Sequence, residues 1–303
     1  MAALVPPSCS SSSLSKDPFS TTTSVLDHKK LGEGGIQKTQ FSLWISSKTR
    51  PSIKLKASME PPGLVQELKS DELESVVKRE SGSNLFDEMK YRFMSFKRKK
   101  YMENLEHYQN LAKAQAPKFM VIACADSRVC PSYILGFQPG EAFVVRNVAN
   151  MVPPYEGGPS ETKAALEFAV NSLKVENILV IGHSCCGGIH ALMSMQDEED
   201  STSFIRRWVV VGRNARLNTE AATSNLGFDQ QCRHCEKESV NCSLLNLLTY
   251  PWIEEKVRKG LLSVHGGYYD FVECTFEKWT LEYDGGKTDE SNTVAVKNRS
   301  FWR

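Results

Sequence analysis

Two short apolar runs, Lys118 to Cys124 (KFMVIAC) and Asn177 to His183 (NILVIGH), constrain this chain more than any other feature. Each is apolar on both of its faces, so a strand made from it must be covered on both sides. Such strands belong in the interior of a parallel sheet, and the helical segments between the runs supply the cover. Ala142 to Asn150 (AFVVRNVAN) reads as a third strand. Helices are expected at Glu161 to Leu173, at Gly187 to Met195 behind a glycine pair, and, after the acidic loop Asp197 to Asp200, at Asp229 to Leu248, where Val240, Leu244, Leu247 and Leu248 share a face. From Leu261 to Tyr283 the apolar period changes to two, with glycines between, which reads as one more sheet strand followed by a hairpin. The expected fold is α/β, with a central, mostly parallel sheet flanked by helices and a C-terminal hairpin.

From Pro61 to Gln115 the pattern is helical and strongly charged. Leu85, Met89, Phe93 and Phe96 fall on one face, and Gly82 to Asn84 separates this helix from a weaker one before it. Helices with an apolar stripe and no core of their own must pack on something else. The basic run Lys97 to Lys100 reads as a solvated helix face, and a formal net charge of +1 argues against a nucleic-acid surface. No run approaches the ~20 apolar residues that a membrane-spanning helix needs, so no membrane span is expected. Residues 1–57 are crowded with Ser and Thr and hold eight Lys/Arg against three Asp/Glu. That is the composition of a transit peptide. Its single arginine, Arg50, and the sequence IKLKA ending at Ala57 favour a plastid over a mitochondrial address. The expected organisation is a transit peptide at 1–57, a helical arm at 58–115, a catalytic α/β domain at 116–285 and a C-terminal tail at 286–303. The expected location is the chloroplast stroma, with the mitochondrion as the alternative.

Both signature strands end in chemistry. The first closes in Cys124-Ala125-Asp126-Ser127-Arg128 and the second in His183-Ser184-Cys185-Cys186-Gly187-Gly188. In an open parallel sheet the carboxyl ends of the strands border the crevice that binds ligands, so Cys124 and His183 meet at one rim. Cys186 lies on the turn into the glycine-led helix, whose free N–H groups favour a thiolate. Two thiolates and one imidazole make a tetrahedral zinc site with one position left open, the arrangement of a catalytic centre. Asp126 and Arg128 follow the first ligand at steps of two, and a bidentate pair between them would keep the carboxylate ionised.

The stretches CADSRVCPS (124–132), GEAFVVRNVAN (140–150) and GHSCCGGI (182–189) resemble the plant beta-class carbonic anhydrases, and the likeness runs from about Phe86 to Tyr283. The resemblance implies reversible hydration of carbon dioxide to bicarbonate by zinc-bound hydroxide, with Cys124, His183 and Cys186 as metal ligands. It implies that Asp126, paired with Arg128, either accepts from that hydroxide or displaces it as fourth ligand. It implies a homodimer, or a higher homo-oligomer, in which the N-terminal helices wrap the partner and Gln115 serves the neighbouring site. Phe143 and Val148 match residues that line the carbon dioxide pocket, and Gly187 joins them as a substrate-binding position. The chain departs from the family where many plant members carry a Tyr and, four residues later, a His: here stand Phe168 and Ser172.

Nine cysteines are many for an intracellular enzyme, and Cys232, Cys235 and Cys242 raise a second metal site. Four converging ligands are not evident there, and buried or surface thiols are the preferred reading. Two rival functions stand beside the carbonic anhydrase: a carbonyl sulfide or carbon disulfide hydrolase on the same site, and a non-catalytic binding protein with structural zinc.

Overall fold

The computed structural model of the protein describes residues 84–195, 203–284 and 293–303. The expected transit peptide, the weaker helix before Gly82 and the acidic loop Asp197 to Asp200 lie outside these residues. Helix α1 (Leu85–Phe96) begins where the Asn84 side chain accepts the Phe86 N–H at 3.1 Å, satisfying one of the unpaired donors of a helix start. A widened turn follows, with the Met102 N–H donating to the Lys97 carbonyl five residues back, and then α2 (Leu105–Lys113). Among the described residues neither helix has a buried side chain, and Leu85, Phe86, Met89 and Phe93 are all exposed.

The α/β body runs β1 (Phe119–Cys124), α3 (Pro131–Leu135), β2 (Ala142–Asn147), α4 (Glu161–Glu167), β3 (Asn177–His183), α5 (Gly187–Met193), α6 (Phe204–Val209), α7 (Arg213–Ala222), α8 (Phe228–Leu248), α9 (Pro251–Arg258), β4 (Ser263–Asp270), β5 (Thr275–Asp284) and β6 (Thr293–Trp302). The six strands form one sheet in the order β2-β1-β3-β4-β5-β6. The first four are parallel, and β5 and β6 add on as antiparallel strands. The expected mostly parallel sheet with a C-terminal hairpin is what the structure has. The apolar runs are indeed its interior: from Met120 to Cys124 every residue of β1 is buried, as is every residue of β3 from Ile178 onward.

Several boundaries differ from the sequence reading, each for a local reason. Strand β2 stops at Asn147 rather than Asn150, because the Asn147 amide captures the Met151 backbone on both sides, accepting its N–H at 2.8 Å and donating to its carbonyl at 2.9 Å. Ala149 and Asn150 take left-handed conformations in that turn (φ 61° and 47°). Helix α4 ends at Glu167 and gives way to a widened turn from Phe168 to Ser172, in which the Leu173 N–H reaches back to Phe168 at 3.0 Å. Helix α5 ends at Met193. Helices α6, α7 and α9 and strand β6 were not anticipated.

Helix α8 covers one face of the sheet, where Val240, Leu244 and Leu247 pack with Met120, Ile122, Ile178 and Val180. Burying each such side chain contributes about 1.5–3 kcal/mol. The contact is closest at Gly182: a β-carbon there would lie 2.7 Å from Val240 Cγ2 and 3.2 Å from the Glu236 carbonyl oxygen. Only glycine lets α8 sit this near the end of β3.

Candidate metal centre

The chain steps from β1 out to β2 on one side, then returns past β1 to place β3 on the other. The carboxyl ends of β1 and β3 therefore flank the point where strand order reverses, which is where an open α/β sheet leaves its crevice. Cys124 is the last residue of β1 and His183 the last of β3. Cys186, at the start of α5, folds back to join them.

Cys124, His183 and Cys186 are all buried, and their nearest donor atoms lie within 4.8 Å of one another. The two sulfurs are 4.0 Å apart. His183 Nδ1 lies 2.9 Å from the Ser184 carbonyl, which leaves Nε2 as the lone-pair nitrogen. That Nε2 is buried and has no hydrogen-bond partner among the described residues. An orphaned imidazole nitrogen beside two buried thiols costs stability unless something accepts its lone pair, and the donor set fits a soft or borderline divalent metal such as zinc. The hydrogen bond with Cys186 holds Cys124 well below the ordinary thiol range against its burial, while Cys186 is pushed up by the same contact and by burial. Phe271 stacks on the His183 ring at 6.2 Å. Among the described residues this is the only cluster of its kind; Cys232, Cys235 and Cys242 do not form another.

Asp126 and Arg128 meet as expected. Asp126 Oδ1 accepts from Arg128 Nε and from the Arg128 backbone N–H, each at 2.9 Å, and Oδ2 accepts from Nη2 at 2.7 Å. These bonds to Arg128 hold the carboxyl well below the usual carboxylate range. The Arg128 guanidinium also donates to the Cys185 carbonyl at 3.1 Å and lies 4.5 Å above the Phe271 ring. Arg146 fastens the same loop from β2, with Nε donating to the Cys124 carbonyl at 2.9 Å and Nη2 to that of Asp126.

The remaining expected residues fall in different places. Val148 lies against the first turn of α5: its Cγ1 occupies the space a side chain on Gly188 would need, and its carbonyl accepts from Trp208 Nε1 at 2.8 Å. Gly187 opens α5 with nothing within 4 Å of where a β-carbon would stand. Phe143 pairs with Met120, four residues before the level of Cys124, or ~13 Å along the sheet, and its ring meets Phe168 at 5.8 Å. Gln115 is exposed in the coil between α2 and β1. The structure of one chain thus gathers Cys124, Asp126, Arg128, Val148, His183, Cys186 and Gly187 and leaves Phe143 and Gln115 apart.

The sequence reading missed Glu236. Its carboxylate is buried on α8, accepts the Cys186 N–H at 3.0 Å and accepts the Tyr268 hydroxyl at 2.7 Å. The available signal was its position on the buried face of α8, four residues before Val240 and eight before Leu244.

A sheet of this order with a Cys2His donor set at its switch point defines an α/β protein with a candidate metal centre at the carboxyl ends of its strands. The profile of the carbonic anhydrase family matches residues 119–276. The chain is 58% identical to beta carbonic anhydrase 5, chloroplastic, of Arabidopsis thaliana over 96% of this chain and 97% of that protein. It is 53% identical to beta carbonic anhydrase 6, mitochondrial, of the same plant over 74% and 76%. Among solved structures it resembles the beta-carbonic anhydrase CcaA, with a TM-score of 0.62 at 27% identity over 65% of this chain and 88% of that one. It also resembles a tetrameric beta-carbonic anhydrase of Sordaria macrospora, with a TM-score of 0.58 at 29% identity over 65% and 97%. The chain belongs to the beta-class carbonic anhydrases, enzymes whose reaction is the reversible hydration of carbon dioxide to bicarbonate.

Proposed function

We propose that this protein hydrates carbon dioxide with zinc held by Cys124, His183 and Cys186, and that Asp126 and Arg128 organise the reacting water. The observation that carries the metal assignment is the buried, partnerless Nε2 of His183 facing two thiols. Zinc bound by such a set supplies Lewis acidity and brings the pKa of a water toward ~7. Asp126, kept ionised by the bidentate grip of Arg128, is an acceptor that orients the attacking water without itself taking the proton. The engagement of both carboxylate oxygens by Arg128 favours this role over ligation of the metal. Val148 and Gly187 border the entry for carbon dioxide, Val148 with an apolar wall and Gly187 with open space.

Gln115 and Phe143 act at the site of a second copy in this reading. Gln115 is exposed, and Phe143 is a strand's length from this chain's own ligands. The apolar stripe of α1, uncovered within the chain, supports a homodimer, and the tetrameric relatives support further assembly. Residues 1–57 are proposed as a transit peptide to the chloroplast stroma, supported by the chloroplastic relative that matches along nearly its whole length. The deciding experiment combines elemental analysis with stopped-flow hydration of carbon dioxide on one sample. About one zinc per chain with rapid hydration is expected. Zinc without hydration, or turnover of carbonyl sulfide alone, would overturn the assignment.

A further inference from the structure

Glu236 is a buried carboxylate that no lysine or arginine among the described residues bonds. A buried carboxylate with no ion-pair partner is costly even when hydrogen-bonded, and an apolar side chain of similar volume would pack there at lower cost. What the glutamate contributes is therefore aim. Its Oε1 accepts the backbone N–H of Cys186 at 3.0 Å, and its Oε2 accepts the Tyr268 hydroxyl at 2.7 Å. The carbonyl of the same peptide unit, that of Cys185, accepts from Arg128 Nη2 at 3.1 Å. A peptide unit is a rigid plane, so a grip on its N–H and another on its carbonyl fix its orientation. Cys185 is left-handed at this point (φ 54°), a conformation a non-glycine residue keeps only where its surroundings impose it. The grip from below stands on α8, whose backbone is seated against β3 at Gly182, next to His183.

We infer that Glu236 and Tyr268 are positioning residues that lock the Cys185–Cys186 peptide plane and so aim the Cys186 thiol at the metal. This rests on the zinc assignment above. Arg128 thereby ties the Asp126 carboxylate to one edge of the plane while Glu236 holds the other, so the acceptor and one metal ligand share a mount. Tyr268 keeps Glu236 in its rotamer from β4. The Cys232 and Cys235 thiols beside Glu236 are packing, and the working residue of that helical stretch is the glutamate.

The test measures the rate of zinc transfer to a competing chelator at fixed pH, and the thiolate-to-metal absorption of the cobalt-substituted protein, for wild type, Glu236→Leu, Glu236→Gln, Tyr268→Phe and Leu247→Ala. Groups that orient metal ligands typically carry ~10–100-fold in metal affinity, and Glu236→Leu should release zinc at least ~10-fold faster with an altered cobalt spectrum. Tyr268→Phe should show a smaller change in the same direction, and Glu236→Gln, which retains an acceptor for the Cys186 N–H, should recover most of the loss. Leu247→Ala cuts a cavity in the same helix away from the plane and should lower the unfolding midpoint without speeding release. Wild-type release and spectrum in a folded Glu236→Leu would overturn the inference. If that variant does not fold, unchanged release in Tyr268→Phe overturns it instead. Release from Leu247→Ala as fast as from Glu236→Leu would reduce the effect to general destabilisation and overturn it too. A wild type that binds no zinc would overturn the metal assignment itself, and the inference with it.

Discussion

The cysteines among the described residues divide by what surrounds each sulfur. Cys124 and Cys186 face an imidazole and each other, whereas burial pushes Cys232 and Cys235 up to about 11 and about 12, which keeps them protonated and poor ligands at neutral pH. Replacing Cys232 or Cys235 by Ala should therefore leave about one zinc per chain, and replacing Cys124, His183 or Cys186 should abolish it; elemental analysis decides between them. Asp126 sets a second expectation. Its folded-state pKa is depressed by Arg128, so the carboxylate stays ionised above the ordinary range near 4, and any rise of hydration with pH in mild alkali comes from another group. Arg128→Gln removes the cause of the depression. The carboxyl should then titrate nearer the ordinary range, so the kcat/KM that remains below about pH 5 should fall away at higher pH than in the wild type, and an unchanged fall there would contradict the ionised-acceptor role.

Among the elements, the widened turn Phe168–Ser172 carries the departure from the family pattern. Phe168 cannot carry a proton and Ser172 does not titrate near neutrality, so proton release to bulk should rely on buffer. Stopped-flow turnover is expected to rise with buffer concentration, and Phe168→Tyr with Ser172→His should flatten that rise while leaving kcat/KM unchanged. Buffer-independent turnover in the natural protein would show another residue moving the proton. The strands and ligands that carry the site were legible because their signals are local: an apolar run marks a buried strand, and its abrupt polar end marks the rim. Other features were not. Nothing in the order of residues announces that the Asn147 amide will close a turn on Met151, and so end β2 early. Strand β6 was hidden because an edge strand alternates weakly, with Val294 and Val296 exposed. Glu236 was overlooked because the adjacent C-x-x-C drew the chemistry to the sulfurs, although the helical period already put the carboxylate on the buried face. The roles expected of Gln115 and Phe143 came only with the family resemblance.

At the scale of the whole molecule, the amino ends of the strands hold a titrating cross-brace far from the metal. His265 bonds Thr280 of β5 at 3.0 Å and Asn177 of β3 at 3.2 Å, and burial, with Lys278 adding to it, depresses its pKa from 6.5 to about 4. Between those values the unfolded chain binds the proton and the folded chain does not, so stability falls as pH drops from about 6.5 to about 4. Thermal unfolding across that window should show the loss, reduced in His265→Gln; an identical slope in the variant would count against the brace. At the other end of the sheet, the ring of Trp302 on β6 stacks on Phe276 at 5.0 Å, and Phe276 helps line the small apolar pocket that touches Cys124 and His183. Strand β6 thus stands one aromatic layer from the candidate metal centre, and the outermost strand of the sheet has a hold on the site. A substitution that strips the ring, Trp302→Ala, acts directly on that layer and should register in metal retention before it registers in solubility.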